Sequence, residues 1–269
     1  MNHRIVLPLS LVALCFGTTC LRAFVLPSFQ LEECAWNATH IAIVSEGETI
    51  DGKVKVVESW GGDLKAGDSL TVPGLEHYAR KEARRVHKFP AKPTKTVLSG
   101  KRIVVFLKKT STGYVAAAGK NIPLAGIGVS SAWIENGEAF ARSQMRISGG
   151  QFFGSRGSER KLRDRVFTVL SEKRKLSKAL KQKDKGKRVS ALTSLAYSAV
   201  RGASKTAIAE IEKLDRSSSF PVLRSLLQDL KLRSVPSLYV AQALVRLDPK
   251  TAAPHIAAAI RGQIRFWKE

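Results

Sequence analysis

The hydrophobic period of this chain changes once, at a stretch containing several glycines. Before Gly149-Gly150, apolar residues alternate with polar ones or gather in short runs. After Gly154 and Gly157 they recur at three- and four-residue intervals. A strand-period pattern does not settle as a helix, nor the reverse, so the change constrains the fold more than any single motif. It predicts a multidomain chain, β then α. Residues 24–148 form a small β-barrel, 149–157 a linker, and 158–269 an antiparallel helical-repeat or helical-bundle domain. The length of 269 residues and the 44% hydrophobic content suffice for two such cores and exclude wholesale disorder.

In the first part, Ile41, Ile43 and Val44 make a short apolar run. Lys53-Val54-Lys55-Val56 alternates, so its valines face a core and its lysines face water. The polar Asp63–Asp68 segment turns the chain into a strand at Ser69–Val72, which Pro73-Gly74 stops. Ile103–Leu107 is a continuous apolar run, as in a central strand covered on both faces, and Tyr114–Ala118 pairs with it. Asn136-Gly137 between two apolar segments is a hairpin signal. Residues 76–95, rich in Lys, Arg and His, interrupt this rhythm as an inserted helix or loop.

Four segments carry a resemblance. They are Ala38-Thr-His-Ile41, Gly52-Lys-Val-Lys-Val-Val-Glu-Ser-Trp60, Gly62-Asp-Leu-Lys-Ala-Gly-Asp68 and Gly100-Lys-Arg-Ile-Val-Val-Phe-Leu107. Together they resemble the tissue-inhibitor-of-metalloprotease-like (netrin-type) domains of exported bacterial proteins. The resemblance covers residues 38–110 and implies an OB-fold barrel. It does not imply protease inhibition, because the inhibitors depend on an amino-terminal cysteine and several disulfides, and Cys34 is the sole candidate here.

In the second part, Ser158 is a plausible N-cap for a helix from Glu159, with Leu162, Val166 and Val169 on one stripe. The stripe weakens at Lys173–Lys175, so a kink or break is expected there. Further helical faces are Leu192/Leu195/Ala196/Ala199, Ile208/Ile211/Leu214, Leu223/Leu226/Leu227/Leu230, Val240/Leu244/Leu247 and Ile256/Ala259/Ile260/Ile264. Ser219 with Pro221 marks the start of the third of these, and Asp248-Pro249 that of the last. Helices recur about every 15 to 17 residues. Leu247-Asp-Pro249 and Ala253-Pro254 resemble HEAT-type repeats, over residues 187–266.

The leading residues run cationic (Met1–Arg4), apolar (Ile5–Gly17) and small, the order of a signal peptide, with cleavage after Ala23 or Cys20. Residues 1–23 are thus expected to direct export to the periplasm or beyond, with no transmembrane span in the mature chain. The alternatives are an uncleaved anchor or a lipidated Cys20. Export leaves Cys34 alone, which precludes an internal disulfide.

Chemistry is sparse in the sequence. No GxxxxGK[ST], GxSxG, HExxH or GxGxxG occurs, and no two of the five His have i, i+4 spacing. Cys34 with His40 is the only nucleophile pair to weigh. No catalytic residue, metal ligand or cofactor is expected, and the chain reads as non-enzymatic.

Charge is open to two readings, a solvated helix face or a contact surface for a polyanion. The net charge is +23, and 26 basic against 10 acidic residues in 151–269 supply +16 of it. Within 156–188 the count is 14 against 4. The candidate polyanion contacts are Arg160, Lys161, Arg163, Arg165, Lys173, Arg174, Lys175, Lys178, Lys181, Lys183, Lys185, Lys187 and Arg188. With export, the expected partners are an envelope protein and anionic lipid or polysaccharide. Nucleic acid ranks lower, since Phe167 is the sole aromatic among these cations. The expected role is interaction or scaffolding in the cell envelope, with polyanion binding as the alternative. Trp36, Trp60 and Trp133 are further contact candidates.

Overall fold

The computed structural model describes residues 29–45, 53–72, 75, 102–117, 127, 130–135, 137–140, 156–229 and 235–266. The expected signal segment 1–23, the basic insertion 76–95 and linker residues 149–155 lie outside the described residues.

The chain has the β-then-α layout. A short helix, α1 (Leu31–Asn37), precedes eight strands: β1 (His40–Ser45), β2 (Lys53–Gly61), β3 (Ser69–Thr71), β4 (Arg102–Thr110), β5 (Gly113–Ala116), β6 (Ser131–Glu135), β7 (Glu138–Phe140) and β8 (Arg156–Ser158). Six helices follow: α2 (Glu159–Leu180), α3 (Lys185–Ala196), α4 (Arg201–Glu212), α5 (Arg216–Gln228), α6 (Val235–Leu247) and α7 (Pro249–Phe266).

The sheet is antiparallel, in the order β3-β2-β1-β4-β6-β7-β8, with β5 also on β4. Among the described residues the pairing path stays open between β3 and β8. β4 is the central strand that its apolar run predicts: Ile103–Leu107 is fully buried between β1 on one side and β6 with β5 on the other. In β2 the alternation holds, with Val54 and Val56 buried and Lys53 and Lys55 exposed. Gly137 takes φ 74 at the β6–β7 hairpin, the left-handed conformation that Asn-Gly turns require. Two elements carry no signal in the sequence. α1 is one of them, and β8 is the other, occupying part of the expected linker and pairing with β7.

Both sheet faces are covered. On one face Ile41, Ile43, Trp60, Val104, Phe106 and Ile134 pack with Cys34 and Ala35 of α1, Val166 and Val169 of α2, and Ala203 of α4. On the other, Val44, Val54, Val56, Leu70, Ile103, Val105, Leu107 and Trp133 form a cluster with Val72, Leu75 and Ile127. The helices build a third core around Leu192, Ile208, Ile211, Leu223, Leu226, Val240 and Leu244.

α2 serves two of these cores. Its first half buries Val166 and Val169 against the sheet, and its second half buries Leu176 and Ala179 against the helices. The expected break at 173–175 is absent, because α2 runs as one helix from Glu159 to Leu180. The side chain of Lys173 turns inward at this point of the stripe, and its Nζ donates to the Ala38 carbonyl at 2.7 Å. A lysine stem can fill an apolar position in this way. Ser158 caps α2 as expected, its side chain accepting from the Lys161 amide.

α3 to α7 repeat at twice the helix spacing read from sequence. Asp184, Asp215 and Asp248 cap α3, α5 and α7 by accepting amide hydrogens from the first turn. Ion pairs then join like positions in successive pairs: Lys185 with Asp215, and Arg216 with Asp248. Tyr197 Oη donates to Asp229 at 2.8 Å, Arg201 Nε to Tyr239 Oη at 2.8 Å, and Arg246 to both oxygens of Glu212 at 2.6 and 2.7 Å. The partners lie 30 to 38 residues apart, about two helices along the chain. α5 is capped by Asp215 and starts at Arg216 rather than at Ser219, which is buried within the helix along with Leu223. Ile260 is 52% exposed rather than on the apolar side of α7.

Candidate polyanion-binding face of α2

The thirteen candidate cations fall into two groups, divided where α2 passes from the sheet to the helices. In the first half, two arginines are committed to structure. Arg163 pairs with Glu58 of β2, and its guanidinium lies 5.6 Å from the centre of the Trp60 ring. Arg165 Nη2 donates to Glu32 of α1 at 2.6 Å. Glu159, in the first turn, accepts from Arg102 of β4 at 2.6 Å, and an acid there complements the helix dipole. These ties fix α2 on the sheet. Arg160 and Lys161 are exposed beside them and pair with no acid among the described residues.

Further on, three more cations are engaged. Lys175 pairs with Glu172 at 2.7 Å, Arg188 with Glu210 at 3.6 Å, and Lys185 with the Asp215 cap. Lys173 is turned inward, and burial pushes its ammonium below the usual lysine range. Arg174, Lys178, Lys181, Lys183 and Lys187 remain. All five are exposed, and none pairs with an acid among the described residues. They occupy the last two turns of α2, the α2–α3 connection and the start of α3. That is a run of 14 residues with cations facing water.

A groove of about 520 Å³ opens beside this face, between α1, α2 and α4. Trp36, Leu176 and Leu180 give it an apolar wall, while Lys173 and Lys181 bring positive charge. Trp36 holds its place through Gly202 of α4. A Cβ at that glycine would fall 2.4 Å from the indole, so only glycine allows the ring to lie this close. A second opening, of about 490 Å³ between α2 and α3, is lined by Glu172, Lys175, Ser198 and Tyr197. There burial first, and then the bond to Asp229, pushes the Tyr197 phenol up to about 12.

The two other expected contact tryptophans belong to the cores, with Trp60 at 4% and Trp133 at 2% exposure; Trp36 is half-buried at the groove. Cys34 and His40 do not form a nucleophile pair. Burial pushes the Cys34 thiol up to about 12, which removes the thiolate that nucleophilic attack needs. Both ring nitrogens of His40 are engaged elsewhere. Nδ1 lies 2.8 Å from Thr39 Oγ1, and Nε2 2.5 Å from Asp63 Oδ1. Among the described residues no three His, Cys, Asp or Glu gather as a metal site, and no helix is long and apolar enough to cross a membrane.

What sequence reasoning missed is the pairing. Charge density marks the segment 156–188, but Glu32 and Glu58, far away in sequence, neutralise its beginning. Compared with protein-family models, curated proteins and solved structures, the chain matches none.

Proposed function

We propose that this chain is an exported, non-enzymatic interaction or scaffold protein of the cell envelope, and that its contact face binds an envelope polyanion. One observation carries the reading. The five cations Arg174, Lys178, Lys181, Lys183 and Lys187 are exposed together without an acid partner among the described residues, whereas the arginines at 163 and 165 are spent on Glu58 and Glu32. A self-contained fold gains little from an unbalanced cationic stretch, whose mutual repulsion destabilises it, while an extended anion gathers such charges by releasing counterions. Export is supported by the cationic, apolar and small order of residues 1–23. The stacked pairs α3 to α7 supply the stiff body of a scaffold.

The finer fold belongs to the same reading. We take the sheet to curl into an OB-like half-barrel of the tissue-inhibitor-of-metalloprotease-like type. Its support is the single apolar cluster that extends from Leu70 and Val72 at β3 to Trp133 on β6.

The test is retention of the full chain on heparin, anionic liposomes and duplex DNA across a salt gradient. Salt-sensitive retention on heparin or anionic liposomes is expected. It should be lost when Arg174, Lys178, Lys181, Lys183 and Lys187 are changed together to Ala. Retention on DNA alone would move the ligand to nucleic acid, and no retention on any support would sink the proposal.

A further inference from the structure

The groove between α1, α2 and α4 has a chemistry distinct from the exposed cations beside it. Its wall is apolar, from Trp36, Leu176 and Leu180, with the half-buried Lys173 at one end of the α2 lining and the exposed Lys181 at the other. The ammonium of Lys173 has three hydrogens. The Ala38 carbonyl takes one, at 2.7 Å, and no acid among the described residues pairs with the charge. Desolvation already holds this amine below its usual range, so a nearby anion would stabilise its charged form. Thr206, on the α4 side, turns its hydroxyl to the Gly202 carbonyl at 2.8 Å and offers the groove little polarity. Lys173, Leu176, Leu180 and Lys181 follow one another along the same side of α2, about 12 Å end to end at the helical rise per residue.

An apolar wall beside an uncompensated, half-buried cation suits a molecule with one negative head and one apolar tail. The volume of about 520 Å³ is that of a small-ligand site. A flat bilayer surface would meet the exposed lysines first, whereas a single molecule entering lengthwise reaches Lys173. We propose that this groove binds one anionic acyl-chain amphiphile, of the fatty carboxylate class, with its head group on Lys173 and its chain along Leu176, Leu180 and Trp36. The site is separable from the polyanion face, because Lys173 and Trp36 lie outside the five-cation run and Lys181 alone is common to both.

Dodecanoate, below its micelle concentration, is the probe, titrated calorimetrically into the full chain with dodecyltrimethylammonium as the cationic control. Saturable binding of one dodecanoate per chain is expected, with the cation bound at least tenfold more weakly. K173M keeps the apolar stem and removes the charge. It should lower dodecanoate affinity at least tenfold while leaving heparin retention unchanged. L180E puts a charge on the apolar wall at Leu180, which is 37% exposed, and should abolish dodecanoate binding in a chain whose far-ultraviolet circular dichroism is unchanged. In wild type, dodecanoate should change the intrinsic fluorescence, and W36F should remove most of that change. No saturable heat, equal affinity for the two detergents, or wild-type affinity in folded L180E would each overturn the site. A wild-type chain that binds dodecanoate but is not retained on heparin would count against the polyanion face and leave the groove standing.

Discussion

His40 Nε2 lies 2.5 Å from Asp63 Oδ1, and this contact clasps the start of β1 to the turn that leaves β2. His40 is 5% exposed, and the edge of the Tyr114 ring region meets it at 5.1 Å between centroids. Its Nδ1 faces Thr39 Oγ1, which also accepts the Lys109 amide at 2.8 Å. Lys109 Nζ donates to the other oxygen of Asp63 at 3.1 Å. The hydrogen bond from His40, and then that from Lys109, hold the Asp63 carboxyl down at about 2.

This clasp gives a pH dependence with a defined sign. The folded value of Asp63 lies below its unfolded value, so its contribution is fully present above the ordinary carboxylate range and is lost as pH falls toward 2. Thermal unfolding followed by circular dichroism from pH 6 to pH 2 should show a steeper loss of Tm below about pH 4 in wild type than in D63N. Parallel curves would mean that the clasp contributes nothing to the fold.

Gly62 makes room for the same histidine. Its φ is +96, and a Cβ there would stand 2.4 Å from the His40 ring. Gly62→Ala therefore adds left-handed strain and a steric clash, and should cost on the order of 1–3 kcal/mol. Chemical denaturation would read this as a lower midpoint. Gly67, with φ +92 and open space around it, should tolerate Ala better than Gly62 does.

Gly202→Ala should also destabilise, against the usual trend. A glycine inside a helix ordinarily gains up to about 1 kcal/mol on change to Ala. Here the new Cβ would fall 2.4 Å from Trp36. Moving the indole should outweigh the propensity gain, for a net loss of about 1–3 kcal/mol. A raised urea midpoint would contradict the contact between α1 and α4.

Leu223, with no exposed surface, sits in the core of the stacked helices. Leu223→Ala should cost about 2–5 kcal/mol. Since α2 packs in both this core and the sheet core, the loss should appear in a single unfolding transition seen equally by far-ultraviolet circular dichroism and by the buried Trp60 and Trp133. Two separated transitions would show that α2 does not couple them.

Much of the layout was legible in the residues because strands and helices repeat their own period. Val54 and Val56 against Lys53 and Lys55, the run Ile103–Leu107, and the Asp248-Pro249 helix start all needed only local rules. The misreadings came from contacts distant in sequence. Lys173 resembled a break in the stripe because its acceptor, Ala38, lies 135 residues earlier. The period of the helical pairs stayed hidden until Lys185 met Asp215 and Arg216 met Asp248. The face of α2 was legible as charge density but not as a site, since Glu32 and Glu58 decide which of its cations are already engaged.

That division is tested most directly by the salt dependence of heparin binding in two variants of the full chain. One carries Ala at Arg174, Lys178, Lys181, Lys183 and Lys187, and the other carries Ala at Arg163 and Arg165. The slope of log affinity against log salt counts the charges engaged, at a little under one unit per contact on duplex DNA. The first variant should elute at markedly lower salt with a slope shallower by several units. The second should lose stability yet keep the wild-type slope. Equal slopes in wild type and the first variant, or a drop in the second as large as in the first, would contradict the assignment of the polyanion face.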